Sequence, residues 1–284
     1  MACGCDLGRR DFMIGGAGAA GVALAGCTTN PETGRSQFTA FMSPEEEARI
    51  GADQHPKLME TFGGAYNDPA LARYIGRIGG ALALNAKTPV KRFTFTVLDS
   101  DIVNAFATPG GYVYLSRGLL ALCRDEAEMA GVVGHEIGHV TARHGAEQYS
   151  TGTLAGLGAA IASIGLAIAT GSRAAGDLIS AGANLYLASY SRDQEFESDM
   201  LGVRYNALAG YNPGAMADFL GQLGASSRLD AQIRGLDPGV VDQTNYLATH
   251  PRTTDRVRAA EREAGQFGDD GADHMQFRRG ASTN

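Results

Sequence analysis

The chain has 284 residues and carries a net charge of −7 at neutral pH. That balance argues against nucleic acid as a partner and leaves no basic patch for anionic lipid headgroups. The length suits one domain with a sizeable core, and no internal repeat is evident.

Arg9-Arg10 precede an uncharged stretch of small residues from Ile14 to Gly26. This is a positive n-region followed by a weak apolar run, too short and small-sided for a durable membrane span. Leu24-Ala25-Gly26-Cys27 resembles a bacterial lipobox, which implies removal of residues 1–26 and acylation of Cys27. The arginine pair resembles a twin-arginine export signal, but Met13 stands where Leu is usual and no Ser or Thr precedes the arginines. Thr28 is not an inner-membrane retention aspartate, so lipoprotein sorting favours the outer membrane. Residues 27–42 read as a polar tether.

Ser43-Pro44-Glu45-Glu46 is a capping box with proline in the first turn and predicts a helix. Asp68-Pro69 starts another, with Leu71, Tyr74, Ile75 and Ile78 at helical spacing. Phe93, Phe95 and Val97 alternate with polar residues, as in a strand with one buried face. Two more strands pair around the turn Pro109-Gly110-Gly111. An extended substrate can add to a sheet edge, and Asn104, Ala105 and Phe106 are the candidates to line it.

Asp125, with Glu128 three residues on, predicts a capped helix running through His135-Glu136-Ile137-Gly138-His139. Positions i and i+4 share a helix face, so both imidazoles can reach one metal ion. Glu136 sits beside the metal, off the ligand row, where a general base takes a proton from water. Gly131, Gly134 and Gly138 each cost about 1 kcal/mol of helix propensity, which implies close packing or room for a site. His144 lies roughly 140° further round the helix than His139, which argues against a metal role. His55 and His274 read as surface residues, and spacing selects none of Tyr190, Tyr205, Tyr211 and Tyr246 as an oxyanion donor.

Thr151 to Ser172 is uncharged and Gly/Ala-rich, and reads as a packed helix that touches the membrane or lines the cleft. Downstream, Glu195 and Asp199 form a second i, i+4 pair. Glu195 suits the third zinc ligand, and the shorter Asp199 suits a hydrogen bond to a ligand imidazole. Glu197 should face away, into solvent. His250, before Pro251, can either donate to an oxyanion or occupy the open coordination position as a latch. Arg256 follows on a helix opened by Thr253 or Thr254, within reach of Asp199, Glu195 or Glu197. Ile179 to Tyr190 and Arg228 to Leu247 are candidates for the walls or lid of the cleft, and the Gly- and Asp-rich tail 265–284 is expected to be disordered.

Four of these segments, in this order, resemble a known family: Asn104 to Gly111, His135 to His144, Glu195 to Gly202, and Thr249-His250-Pro251 with Arg256. They are similar to the zinc peptidases that include the CAAX prenyl endopeptidases and the HtpX-type membrane proteases. The resemblance implies an α+β, mostly helical fold over residues 43–264, with a small mixed or antiparallel sheet beside the zinc helix. It implies one Zn²⁺ held by His135, His139 and Glu195, with Asp199 in support, and unfolded or misassembled envelope proteins as substrates. The rival expectation is an envelope chaperone with a latent or structural zinc site. A prenyl-processing role would need several membrane spans, and this chain offers at most one.

Overall fold

The computed structural model describes residues 26–154, 190–237, 246, 250 and 254–267. The leader, most of the 151–172 stretch, the predicted walls apart from Tyr190 and Tyr246 and residues 228–237, and the tail beyond Phe267 lie outside the described residues. Among the described residues, no helix is long and apolar enough to cross a membrane.

The N-terminal segment is folded where a tether was expected. Strands β1 (Cys27–Thr29) and β2 (Ser36–Phe38) form an antiparallel hairpin, and Asn30, Gln37, Thr39 and Met42 are buried. Helix α1 (Pro44–Thr61) starts at Ser43 with both halves of the capping box made. Helix α2 (Pro69–Ala83) is capped by Asp68, whose side chain accepts from the Ala70 and Leu71 amides. Its apolar face buries Ile75, Ile78 and Leu82, each contributing about 1.5–3 kcal/mol by leaving water.

Strands β3 (Thr94–Leu98), β4 (Ala105–Thr108) and β5 (Tyr112–Ser116) make a mixed sheet in the order β3-β5-β4. β3 runs parallel to β5 and β4 antiparallel. The β4–β5 turn carries Gly110 and Gly111 at φ 85° and 91°, a region that favours glycine. A Cβ on Gly110 would lie 2.9 Å from the Glu47 carbonyl oxygen, so the turn seats directly on α1. Helix α3 (Arg117–Leu122), capped by Ser116, leads into α4.

Helix α4 (Glu126–Thr141) is buried along almost its whole length. Asp125 caps it by accepting from the Glu128 amide. The expected reciprocal bond is not made, because the Glu128 carboxylate turns to the backbone N–H and guanidinium of Arg124. Helix α5 (Arg192–Leu208) crosses α4 at very short range. A Cβ on Gly134 would lie 3.1 Å from the Gly202 Cα, one on Gly138 3.1 Å from the Ser198 Cα, and one on Gly202 2.9 Å from the His135 amide nitrogen. Gly131 faces α6 (Ala215–Arg234) in the same way, 3.2 Å from the Met216 Cα. The helix-weakening glycines therefore let backbones touch, and α7 (Thr254–Ala264) closes against α5 and α6. Val132, Val133 and Ile137 of α4 join Ile75, Val113, Leu201 and Phe219 in one core.

Candidate metal centre

His135 and His139 project from α4 toward Glu195 in the first turns of α5, and all three are buried. The Ser191 capping box, closed by Gln194, sets where α5 begins and so where Glu195 points. The two Nε2 atoms are 3.0 Å apart, and His139 Nε2 is 3.4 Å from Glu195 Oε1. His250 joins them: its Nδ1 is 3.2 Å from His135 Nε2 and 2.9 Å from Glu195 Oε1. One ligand atom from each of the four residues lies within 4.8 Å of the others.

Three imidazole nitrogens and a carboxylate oxygen, buried and this close together, are donor atoms of the kind zinc takes. His135, His139 and Glu195 could hold such an ion, with His250 beside them. Burial drives the His139 imidazole well below its ordinary pKa and keeps it neutral, the form a metal requires. Burial alone would raise the Glu195 carboxyl, but the His250 and Arg256 charges outweigh it and hold it well below the carboxylate range. His250 shifts the other way: burial opposes its charge, yet Glu195 and Glu136 raise it.

Glu136 is fully buried, with Oε1 accepting from the Tyr246 hydroxyl at 3.3 Å and lying 3.6 Å from His250 Nε2. Its Oε2 has no hydrogen-bond donor among the described residues. Asp199 Oδ1 lies 2.9 Å from His135 Nδ1, off the hydrogen-bond axis. Arg256 holds that carboxylate through Nε and Nη2, at 2.7 and 2.8 Å, and reaches Glu195 Oε2 through Nη1 at 2.6 Å. Of the three carboxylates within Arg256's predicted reach, it takes Asp199 and Glu195 and leaves Glu197. Burial disfavours the Asp199 charge, and Arg256 reverses this, lowering the carboxyl below its usual value.

Three expectations are corrected here. Glu197 does not face solvent; it is buried and accepts from His144, Asn30, Thr33 and Arg35. Those donors overcome the burial penalty and hold its carboxyl at about 2. His144 does not continue round the helix: α4 ends at Thr141, and Arg143 adopts φ 54°, which turns His144 back until its Nδ1 is 2.9 Å from His139 Nδ1. His55 is half-buried, bonded to the Tyr114 hydroxyl at 2.8 Å and stacked on Tyr112.

Two tyrosines that spacing does not select lie on the site. Tyr190 stacks on His139 with ring centroids 3.9 Å apart, and Tyr246 stacks on His250 at 4.4 Å. Tyr246 and His250 are four residues apart and joined by a backbone bond, a helical spacing that could have paired them. The predicted edge residues fall at the start of β4, an outer strand packed beside α4, with Asn104 half-buried and Ala105 and Phe106 buried. Just before them, the Val103 carbonyl accepts from the Tyr246 amide. Cys27 opens β1.

A buried pair of helices that brings two histidines and a glutamate to one point, with a further carboxylate adjacent, is the architecture of a zinc metallopeptidase. The family profile described as peptidase family M48 matches residues 69–264. The chain belongs to that family, a group of zinc-using metallopeptidases. It is 32% identical over 243 residues to the beta-barrel assembly-enhancing protease of Yersinia pestis, covering 84% of this chain and 47% of the relative. The protein of the same name in Escherichia coli K12 is 30% identical over 245 residues, 84% of this chain and 48% of the relative. The mitochondrial metalloendopeptidase OMA1 of Schizosaccharomyces pombe is 26% identical over 237 residues, 81% of this chain and 64% of the relative. The chain spans about half the length of the bacterial relatives it matches.

Proposed function

We propose that this chain is a metalloendopeptidase of the bacterial envelope that hydrolyses peptide bonds of unfolded or misassembled envelope proteins. His135, His139 and Glu195 would hold the zinc, which polarises the scissile carbonyl and acidifies water at the site. Glu136 is the proton carrier: its free Oε2 takes a proton from the attacking water and delivers it to the leaving amine. Tyr246, held protonated by burial, bonds Oε1 and fixes which carboxylate oxygen remains available. The observation that carries this reading is that uncommitted, buried Glu136 oxygen next to the cluster of His135, His139 and Glu195. The names of the bacterial relatives support beta-barrel assembly as the setting. In the same reading, acylation of Cys27 tethers the enzyme on the periplasmic side, with the outer membrane favoured. Asn104, Ala105 and Phe106 at the β4 edge would receive the substrate strand.

Proteolysis of unfolded casein by wild type and Glu136→Gln, with zinc quantified in both, tests it. The expected result is zinc in both proteins and cleavage slowed about 10²–10⁴-fold in the variant. Zinc in both with equal cleavage by both would overturn the assignment of the base.

A latent form of the same enzyme is favoured by one observation: His250 Nδ1 stands among the ligand atoms, in the position a substrate carbonyl or water must take. On this reading His250→Ala raises basal casein cleavage. A fall in cleavage with zinc retained would assign His250 to the oxyanion instead.

A further inference from the structure

Each histidine of the HExxH motif has a buried carboxylate from α5 behind it. His135 meets Asp199 directly. Behind His139 a second imidazole intervenes, and the contacts admit only one arrangement of protons. With His139 Nε2 turned to the metal, its Nδ1 carries the proton and donates to His144 Nδ1, 2.9 Å away. His144 must then be protonated at Nε2, which faces Glu197 Oε2 at 3.0 Å. Both rings are thereby fixed in tautomer and in orientation.

Glu197 is held in turn by the β1–β2 hairpin. Its Oε1 accepts from Asn30 Nδ2 at 2.9 Å and Thr33 Oγ1 at 2.5 Å, and its Oε2 from Arg35 Nε at 2.7 Å. The remaining nitrogens of the Arg35 guanidinium fork onto Glu147 at 2.9 and 2.6 Å, on the helical turn that follows His144. A hairpin that merely covered the core would not need to aim three donors at one carboxylate, nor would that carboxylate need an imidazole between it and a candidate metal ligand.

We infer that the N-terminal hairpin is a positioning element of the metal centre, acting through Glu197 and His144 on the imidazole of His139. Asn30, Thr33, Arg35, Glu197 and His144 touch neither metal nor substrate; they decide how firmly His139 presents its Nε2. The inference rests on His139 being a zinc ligand. Partners that orient ligand histidines commonly change metal affinity 10–100-fold when removed.

The test is zinc affinity of the full-length protein, measured by competition with a chromophoric chelator and Zn²⁺ as the only probe. His144→Ala and Glu197→Gln should each weaken zinc binding about 10–100-fold. Arg35→Ala should weaken it by a smaller factor, with Arg35→Lys recovering part of the loss. Because Arg35 acts through Glu197, the Arg35→Ala/Glu197→Gln double variant should bind zinc no more weakly than Glu197→Gln alone. Affinity unchanged within about twofold in folded His144→Ala would overturn the inference, as would additive losses in the double variant. Should His144→Ala fail to fold, the half-exposed Arg35 series decides: a lower thermal midpoint with unaltered zinc affinity means a purely structural hairpin. A wild type without zinc would instead overturn the assignment of His139 as ligand, and this inference with it.

Discussion

The two histidines of the motif are braced by segments on opposite sides of them in sequence. Behind His135, Asp199 is clamped by Arg256 from α7, and the whole group is about as buried as the core, with the Arg256 and Asp199 side chains 2% and 1% exposed. Behind His139, Glu197 is clamped by Arg35 from the hairpin, whose side chain is 34% exposed. The comparison teaches how one design, carboxylate behind imidazole and arginine behind carboxylate, is built at two depths. At depth, the arginine neutralises two carboxylates in low dielectric and cannot be removed without stranding charge. Near the surface, water and salt share the task, so the same arrangement holds geometry with less at stake in stability.

Arg256→Ala should therefore have the largest effect. It leaves Asp199 and Glu195 buried without their cation and should cost about 3–5 kcal/mol, read from the denaturant midpoint. The helix crossing that serves both braces comes next. Gly202→Ala pushes a methyl against the His135 backbone and should cost about 1–3 kcal/mol, with zinc affinity falling in parallel because both ligand helices shift. Arg35→Ala should cost least, about 1 kcal/mol, and the cost should shrink as salt is raised. An Arg35→Ala loss equal to that of Arg256→Ala, insensitive to salt, would break the comparison.

Much of this architecture is legible in local sequence. Ser43 with Glu46, Asp68 with Pro69, and the glycine turn after β4 fix their elements through contacts a few residues apart. The i, i+4 spacings of His135 with His139 and of Glu195 with Asp199 bring side chains together because a helix does so wherever it forms. What the sequence hides is set by distant contacts. Extending α4 past Thr141 points His144 away from the site, and only the left-handed turn at Arg143, pinned to Glu47 and the Met42 carbonyl, brings it back. Periodicity turns Glu197 away from Glu195 correctly, but not into water, because a segment that looks like a tether folds over it. Tyr190 escapes for a similar reason: nothing near it in sequence marks it as a partner for His139.

The bracing from both sides has a consequence for how the protein is made. Arg35 leaves the ribosome well before the two motif histidines, while His250 and Arg256 follow well after them. A partly synthesised chain can hold His135, His139 and Glu195 without their full support, and a chain cut short before Arg256 never completes it. The geometry around the two histidines then depends on both segments, and a chain that lacks either leaves one imidazole without its brace.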